Sequence, residues 1–151
     1  MSYTARSGRE QILQDVAEAA EELGKALADL GEAYEHLDEQ TADRMEENVF
    51  RPLQSAFGQL KRTSEEFARR YELQGRDFPP APMPLPGDAR RLFERASESV
   101  RAADDTLAGL QDSMLPVEVG DEALRAGLSR VRLLISPLPQ ASEQLVRTFG
   151  R

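Results

Sequence analysis

The stretch "EENVFRPLQSAF", residues 46–57, places a proline inside a run that otherwise has the spacing of an amphipathic helix. Apolar residues recur at helical spacing almost without a gap from Ile12 to Tyr71. Inside a helix a proline removes one backbone hydrogen bond and costs about 3 kcal/mol, which burial of an apolar stripe on both sides can offset. We therefore expect one continuous helix over residues 9–74, kinked at Pro52.

The alternative is a helix break near residues 38–42. The apolar spacing stretches to successive steps of four around Thr41, and either Asp38 or Thr41 can cap a helix N-terminus. The usual turn residues are missing there, because no glycine or proline lies between Gly31 and Pro52. A continuous helix predicts a long antiparallel helical hairpin, and a break predicts an up-down four-helix bundle. Both would pack like a coiled coil.

The rest of the chain is helical in pattern on both sides of a proline-rich loop at residues 75–87. Helical spacing resumes over 88–115 and 121–149, with Asp88 and Asp121 placed to cap these helices. Strand alternation is absent, so we predict an all-α fold with a single helical domain over residues 1–151. In the bundle alternative the helices lie near residues 9–38, 42–74, 88–115 and 121–149.

The loop lies within "LQGRDFPPAPMPLPGDAR", residues 73–90, and its prolines favour an extended polyproline II (PPII) conformation. The simpler interpretation is a helix-to-helix connection, and the alternative is recognition by an SH3-like partner. Ala17, Gly24 and Gly31 recur every seven residues along the first helix, which suggests that another backbone packs closely there.

The composition restricts the classes of function. The chain has no cysteine, which favours a reducing, cytoplasmic setting and removes disulfide and zinc–thiolate chemistry. The N-terminal residues lack the apolar core of a signal peptide, and no apolar run approaches the roughly 20 residues of a membrane span. A net charge of −8 argues against nucleic-acid binding. We expect a cytoplasmic protein, with any membrane contact peripheral.

The sequence contains no pattern that predicts catalysis. His36 is the sole histidine, and a bundle metal site of the di-iron type needs paired Glu-x-x-His motifs, so we expect a surface histidine. Phosphate-binding loops and nucleophile motifs are absent. We predict a non-enzyme with no catalytic residues, no cofactor, no metal and no small-molecule substrate.

Charge is distributed unevenly. Residues 10–48 hold thirteen acidic side chains against Lys25 and Arg44. Around the proline-rich loop lies a basic group that we predict to form one patch at the distal end of the hairpin: Arg69, Arg70, Arg76, Arg90, Arg91 and Arg95. Such a patch could bind an anionic lipid surface. The alternative is local pairing of these arginines with Glu65, Glu66, Glu72 and Glu94.

The segment "ALADLGEAYEHLDEQTADRMEENVFRPLQSAFGQLKRTSEEFARRYEL", within residues 26–74, resembles the long central helix of BAR domains. The similarity lies in Ala26–Ala33, in the run Val49–Leu53 with its proline, and beyond it in Phe57, the basic pair Lys61 and Arg62, Phe67 and Tyr71. The resemblance implies a crescent-shaped homodimer that curves anionic membranes. It also implies that Pro52 helps to bend the helix.

Two functions follow from these patterns. The first is a non-enzymatic, BAR-like scaffold that dimerises and binds anionic membranes or proteins. In this hairpin, two helices alone would leave apolar surface in water, so a homodimer is expected. The second is a compact four-helix bundle that binds another protein, with the acidic first helix as its docking face and no membrane role.

Overall fold

A computed structural model describes residues 2–149, in which the regular secondary structure is helical and no strand occurs. The predicted all-α bundle is confirmed. In chain order the helices are α1 (Ser2–Tyr34), α2 (Glu39–Met45), α3 (Arg51–Arg70), α4 (Ala89–Asp112), α5 (Leu115–Glu118), α6 (Glu122–Ile135) and α7 (Leu138–Val146), and a π-helical turn, Glu46–Phe50, joins α2 to α3.

The helix predicted to run unbroken over residues 9–74 is interrupted, so that prediction is wrong. α1 ends at Tyr34, and a short turn over residues 35–38 reverses the chain. Within it the His36 amide donates to the Ala33 carbonyl at 2.9 Å, and the extended Asp38 caps α2. No residue of this turn has a positive φ, which explains why it needs neither glycine nor proline.

The helix does continue through Pro52, as predicted. The π-helical turn lies immediately before it, where the Arg51 amide donates to the carbonyl of Glu46, five residues back. A proline ring clashes with the preceding turn of a regular helix, and a widened turn gives it room. Residues 39–70 therefore form one helix, in which the π-helical turn accommodates the proline. A kink at that position stays a prediction.

Pairs of contacts set the helix directions. α1 and α3 run antiparallel, because Arg9 lies against Tyr71 and Gly24 lies beside Phe57. α1 and α4 are also antiparallel, since Asp29 pairs with Arg95 and Gly8 lies beside Leu115, just beyond the end of α4. α6 then runs back along both α3 and α4. The helices α3 and α4 therefore point the same way.

This parallel pair requires a long connection. Residues 71–88, which we call the crossing segment, leave α3 at one end of the bundle and reach the start of α4 at the other. One long crossover between two antiparallel pairs is a known way to connect a four-helix bundle. The crossing segment is therefore not a local turn at the tip of a hairpin.

The core is enclosed within one chain. The apolar stripes of the four long helical stretches face one another, and their largest fully buried side chains include Ile12, Leu23, Leu30, Met45, Leu53, Leu60, Phe67, Phe93, Leu107 and Leu110. A second copy is thus not needed to cover these stripes. The homodimer stays a prediction, but exposed apolar stripes no longer provide a reason for it.

The predicted caps are confirmed at two helices. Asp88 accepts a hydrogen bond from the Arg91 amide at 2.9 Å, and Asp121 accepts one from the Leu124 amide at 2.8 Å. The helical region predicted over residues 121–149 is interrupted between residues 135 and 138, where a turn containing Pro137 separates α6 from α7. Gly127 allows α6 to approach α3 closely, because a Cβ there would clash with the Thr63 side chain.

Candidate functional site

The six arginines predicted to form one patch lie in two places. Arg69, Arg70 and Arg76 lie toward the end where α1 begins, and Arg90, Arg91 and Arg95 lie toward the end where α1 closes into its turn. The predicted single distal cluster is therefore wrong, because the crossing segment separates the two groups by the length of the bundle. Binding of these residues to an anionic surface stays a prediction.

Three of these arginines bond to the protein itself. Arg70 and Arg95 form ion pairs with aspartates distant in sequence, and Arg76 donates to backbone carbonyls. The local pairs with Glu65, Glu66, Glu72 and Glu94 do not form among the described residues. The exposed side chains of Arg69, Arg90 and Arg91 make no ion pair within residues 2–149.

At the end where α1 begins, Asp121 gathers several donors. Arg70 donates to its two carboxylate oxygens at 2.7 and 2.9 Å, and the Tyr71 hydroxyl donates at 3.1 Å. Burial raises the pKa of Asp121, but hydrogen bonds from Arg70, the Leu124 amide and Tyr71 outweigh it and hold that pKa below its ordinary value. Arg9 lies over the Tyr71 ring, 4.0 Å from its centroid. This network joins α1, α3 and α6.

Farther along α1, a single arginine holds three elements. One Arg95 nitrogen donates to the carboxylate of Asp29 at 3.3 Å and to the carbonyl of Leu85 in the crossing segment. Asp29 is only 8% exposed. Burial raises its pKa, and the nearby Arg95 opposes that rise only in part. Arg95 thus fastens the crossing segment to α1 and α4 through a partly desolvated pair.

The other end of the crossing segment is also fastened. Arg76 donates to the carbonyls of Gln74 at 3.2 Å and of Glu10 at 3.4 Å. Before it, α3 ends in a Schellman motif, with the Leu73 amide donating to the Ala68 carbonyl at 2.8 Å. Glu72, which immediately precedes Leu73, adopts a left-handed conformation with φ 55°. The segment therefore begins at a defined place and direction.

The length between the two anchors indicates an extended backbone. The segment covers nine residue-to-residue steps between its anchors at residues 76 and 85. Over the same distance α1 covers nineteen steps, from residue 10 to residue 29. Nineteen helical steps advance about 28 Å at about 1.5 Å each. Nine PPII steps of about 3.1 Å also advance about 28 Å. The prediction of an extended, PPII-like loop agrees with this match.

Burial along the crossing segment repeats every third residue. The half-buried positions are Phe78, Ala81, Pro84 and Gly87, whereas the two residues between each of them are exposed. Three residues per turn is the period of a PPII helix. Met83 is 89% exposed and Leu85 is 73% exposed. One edge of the segment therefore faces the bundle, and two edges face solvent.

A cavity of about 320 Å³ lies beneath the segment, between its residues 77–82 and helices α1 and α3. Ala17 and Gly24 contribute to its wall, and a Cβ on Gly24 would lie 4.0 Å from the Cβ of Ala81. The predicted close approach of another backbone is wrong at Gly24, because the nearest neighbours of such a Cβ are side-chain atoms at ordinary contact distance, 3.7 Å to Phe57 and 4.0 Å to Ala81. It is also wrong at Gly31, which has open space around it.

The acidic third of the chain forms a solvated surface near the 35–38 turn. Glu39, Asp43 and Glu47 follow one another at four-residue steps and are all exposed. Like charges at this spacing are mildly destabilising. His36 is exposed, as predicted, with its Nε2 atom 3.6 Å from a Glu32 carboxylate oxygen. Nowhere in residues 2–149 do three metal-binding side chains converge.

Sequence reasoning missed Asp29 and Asp121 as partners of the arginines, and it missed the contact of Arg9 with Tyr71. A signal existed for Asp29, because it follows Ala26 by three residues and precedes Ala33 by four, which places a carboxylate on the buried face. No comparable signal marks the others. Their partners lie 50 or more residues away in sequence.

Comparison of the chain with protein-family models, with curated proteins and with solved structures finds no match. The resemblance to BAR domains stays a prediction. Across the described residues, no helix combines the length and the apolar character that crossing a bilayer requires.

Proposed function

We propose that this chain is a non-enzymatic protein-interaction module that presents its crossing segment to a protein partner. The observation that carries the proposal is the exposure of Met83 and Leu85, at 89% and 73%, on a segment fastened at both ends. A contiguous exposed apolar patch marks interaction sites, and Met83 and Leu85 belong to one, because the apolar residues at 79, 80, 82, 83, 85 and 86 are all exposed. A segment already held in place also loses less conformational entropy when it binds.

The enclosed core supports a compact module over an extended scaffold. Both apolar stripes that a hairpin would leave in water are covered by α4, α6 and α7 of the same chain. The acidic first helix, the docking face expected from the sequence, is partly covered by the crossing segment near Glu18 and Glu21. The crossing segment is therefore the better-placed docking surface.

Photo-crosslinking tests the proposal directly. A benzophenone amino acid replacing Met83 should give a discrete crosslinked species in the cells that make the protein. The matched control carries the same amino acid in place of Leu133, which is 79% exposed but lies on α6. The absence of an adduct at position 83, or equal adducts at both positions, would contradict the proposal.

A dimeric, BAR-like membrane scaffold is the second proposal, favoured by the exposed arginines Arg69, Arg90 and Arg91. Each basic residue near an anionic membrane contributes about 1 kcal/mol. Nearby acidic residues, including Glu39 and Asp43, oppose this attraction.

Co-sedimentation with phosphatidylserine vesicles at low salt, combined with light scattering for mass, tests this second proposal. The double variant Arg90→Gln/Arg91→Gln should bind less than the control Arg44→Gln/Arg51→Gln, which removes two other exposed arginines. A monomer that does not sediment with these vesicles would remove the membrane scaffold.

A further inference from the structure

We propose that residues 78–86 are a ligand for a protein domain whose groove is lined by aromatic side chains and recognises PPII helices. This inference rests on the proposed function, because it specifies the chemistry of the partner that docks on the crossing segment. It goes further by assigning which edges of the segment the partner contacts.

The first support is that the ligand conformation is already formed. The span between the Arg76 and Arg95 anchors fits nine PPII steps, and the burial pattern repeats every three residues. Domains with aromatic-lined grooves bind proline-rich segments because the PPII helix has little conformational entropy left to lose. Here the two arginine anchors reduce that entropy further.

The second support is the division of the three edges of the helix. The edge that faces the bundle holds Phe78, Ala81 and Pro84. The two free edges hold Pro79, Pro82 and Leu85 on one side and Pro80, Met83 and Pro86 on the other. A groove grips a three-edged rod along two adjacent edges, so a partner can dock without detaching the segment from α1.

The third support is the chemistry of the free edges. Six consecutive free-edge positions are apolar, and prolines three residues apart, Pro79 and Pro82, match the PxxP spacing that such grooves accept. The exposed charged residues beside the segment include Asp77 and Asp88 within it and, on α1, Glu18, Glu21 and Lys25, so that acidic groups predominate. A groove with apolar aromatic walls and a neutral or basic rim therefore fits this surface.

The test measures binding of the full chain to a panel of purified SH3 and WW domains by fluorescence anisotropy. We expect at least one domain to bind, and Pro82→Ala or Met83→Ala to weaken that binding by about tenfold. The matched control is Pro84→Ala, which alters the same residue type on the edge that faces the bundle. It should change affinity by less than about twofold. Circular dichroism and thermal unfolding verify that each variant stays folded.

Failure of every domain to bind the wild-type chain would overturn the inference. So would a complex that Pro84→Ala weakens more than Pro82→Ala, since that pattern means the segment is bound only after detachment. If a crosslink from position 83 persists in the Pro79→Ala/Pro82→Ala variant, the proposed interaction module is supported and recognition as a PPII helix is contradicted. If position 83 of the otherwise unaltered chain gives no crosslink, the proposed interaction module itself is contradicted.

Discussion

The two connections that flank the helix over residues 39–70 differ in length and in the direction they give the chain. The turn over residues 35–38 reverses the chain within four residues, with one capping carboxylate and ordinary backbone conformations. The crossing segment carries the chain along the whole bundle without reversing it and needs an arginine anchor near each end. The difference teaches that a short connection fixes an antiparallel pair by itself, whereas a long one depends on side chains from other helices.

The largest effect should come from shortening the crossing segment. Tyr71 lies beside Arg9 and Arg95 lies beside Asp29, a separation of about 30 Å along α1. The start of α4 lies six residues before Arg95, about 9 Å farther. Deleting residues 76–85 leaves eight steps, which span at most about 29 Å. The deleted chain should form no folded monomer, as measured by light scattering and urea unfolding.

Replacement of the same ten residues by a glycine–serine linker is the control. This linker restores the reach, so the bundle should fold as a monomer with reduced stability, because the anchors and the packing on α1 are lost. A cooperative monomeric transition in the deletion variant would contradict the topology that gives the crossing segment its role.

The next effect compares the two anchors. Arg95→Ala leaves the buried Asp29 carboxylate without its cation, and we expect a loss of about 3 kcal/mol in the free energy of unfolding, the low end for a buried pair because the Arg95 side chain is 24% exposed. Arg76→Ala removes only bonds to partly exposed carbonyls and should cost less than about 1 kcal/mol. Urea denaturation measures both.

A rescue sharpens this comparison. Asp29→Asn in the Arg95→Ala background removes the uncompensated charge, so it should restore part of the lost stability. If Arg76→Ala proved the more destabilising anchor variant, the crossing segment would be held mainly at its beginning.

A smaller effect concerns the residue that starts the crossing segment. Glu72 adopts a left-handed conformation, which is unfavourable for residues with a Cβ atom. Glu72→Gly should raise the free energy of unfolding by about 1 kcal/mol, because glycine is preferred at this position of a Schellman motif. Glu72→Ala removes the same charge without relieving the backbone and should give no gain. Thermal unfolding distinguishes the two variants.

The smallest effect concerns the cap of the short turn. Hydrogen bonds from the Thr41 amide and hydroxyl lower the pKa of Asp38. A lowered carboxyl pKa means that the stabilisation is complete above the ordinary value of about 3.9 and is lost as the pH falls through the folded-state pKa. Asp38→Asn keeps a capping oxygen without a titrating group.

The urea midpoint of the wild type should therefore fall relative to that of Asp38→Asn as the solution is acidified toward about pH 3. Parallel behaviour of the two proteins down to that pH would show that the cap does not contribute through its charge.

Local features were sufficient to predict much of this fold. Helical periodicity identified the helical regions, the aspartates at positions 88 and 121 marked helix starts, and the helix was correctly expected to pass through Pro52. These properties depend on neighbours within one or two helical turns, which the sequence displays directly. The PPII-like character of the proline-rich stretch was predicted for the same reason.

The candidate site was predicted only in part. The proline-rich stretch was singled out, but its two free edges depend on which side packs against α1. The arginines were placed in one cluster because a loop was assumed to return to its starting point. Their actual partners, Asp121 and Asp29, come from other helices. Such pairings follow from how the helices pack, and the spacing of residues along the chain does not predict them.

The sequence alone determined that this protein is helical, where α4 and α6 begin, and that an extended proline-rich stretch separates two halves. The tertiary structure decided that the chain reverses at residues 35–38, that α3 and α4 run in the same direction, and which residues of the crossing segment face outward. Local hydrogen bonds and side-chain spacing specify helices one at a time. The burial of four apolar stripes against one another selects the arrangement, because only the complete bundle covers them all.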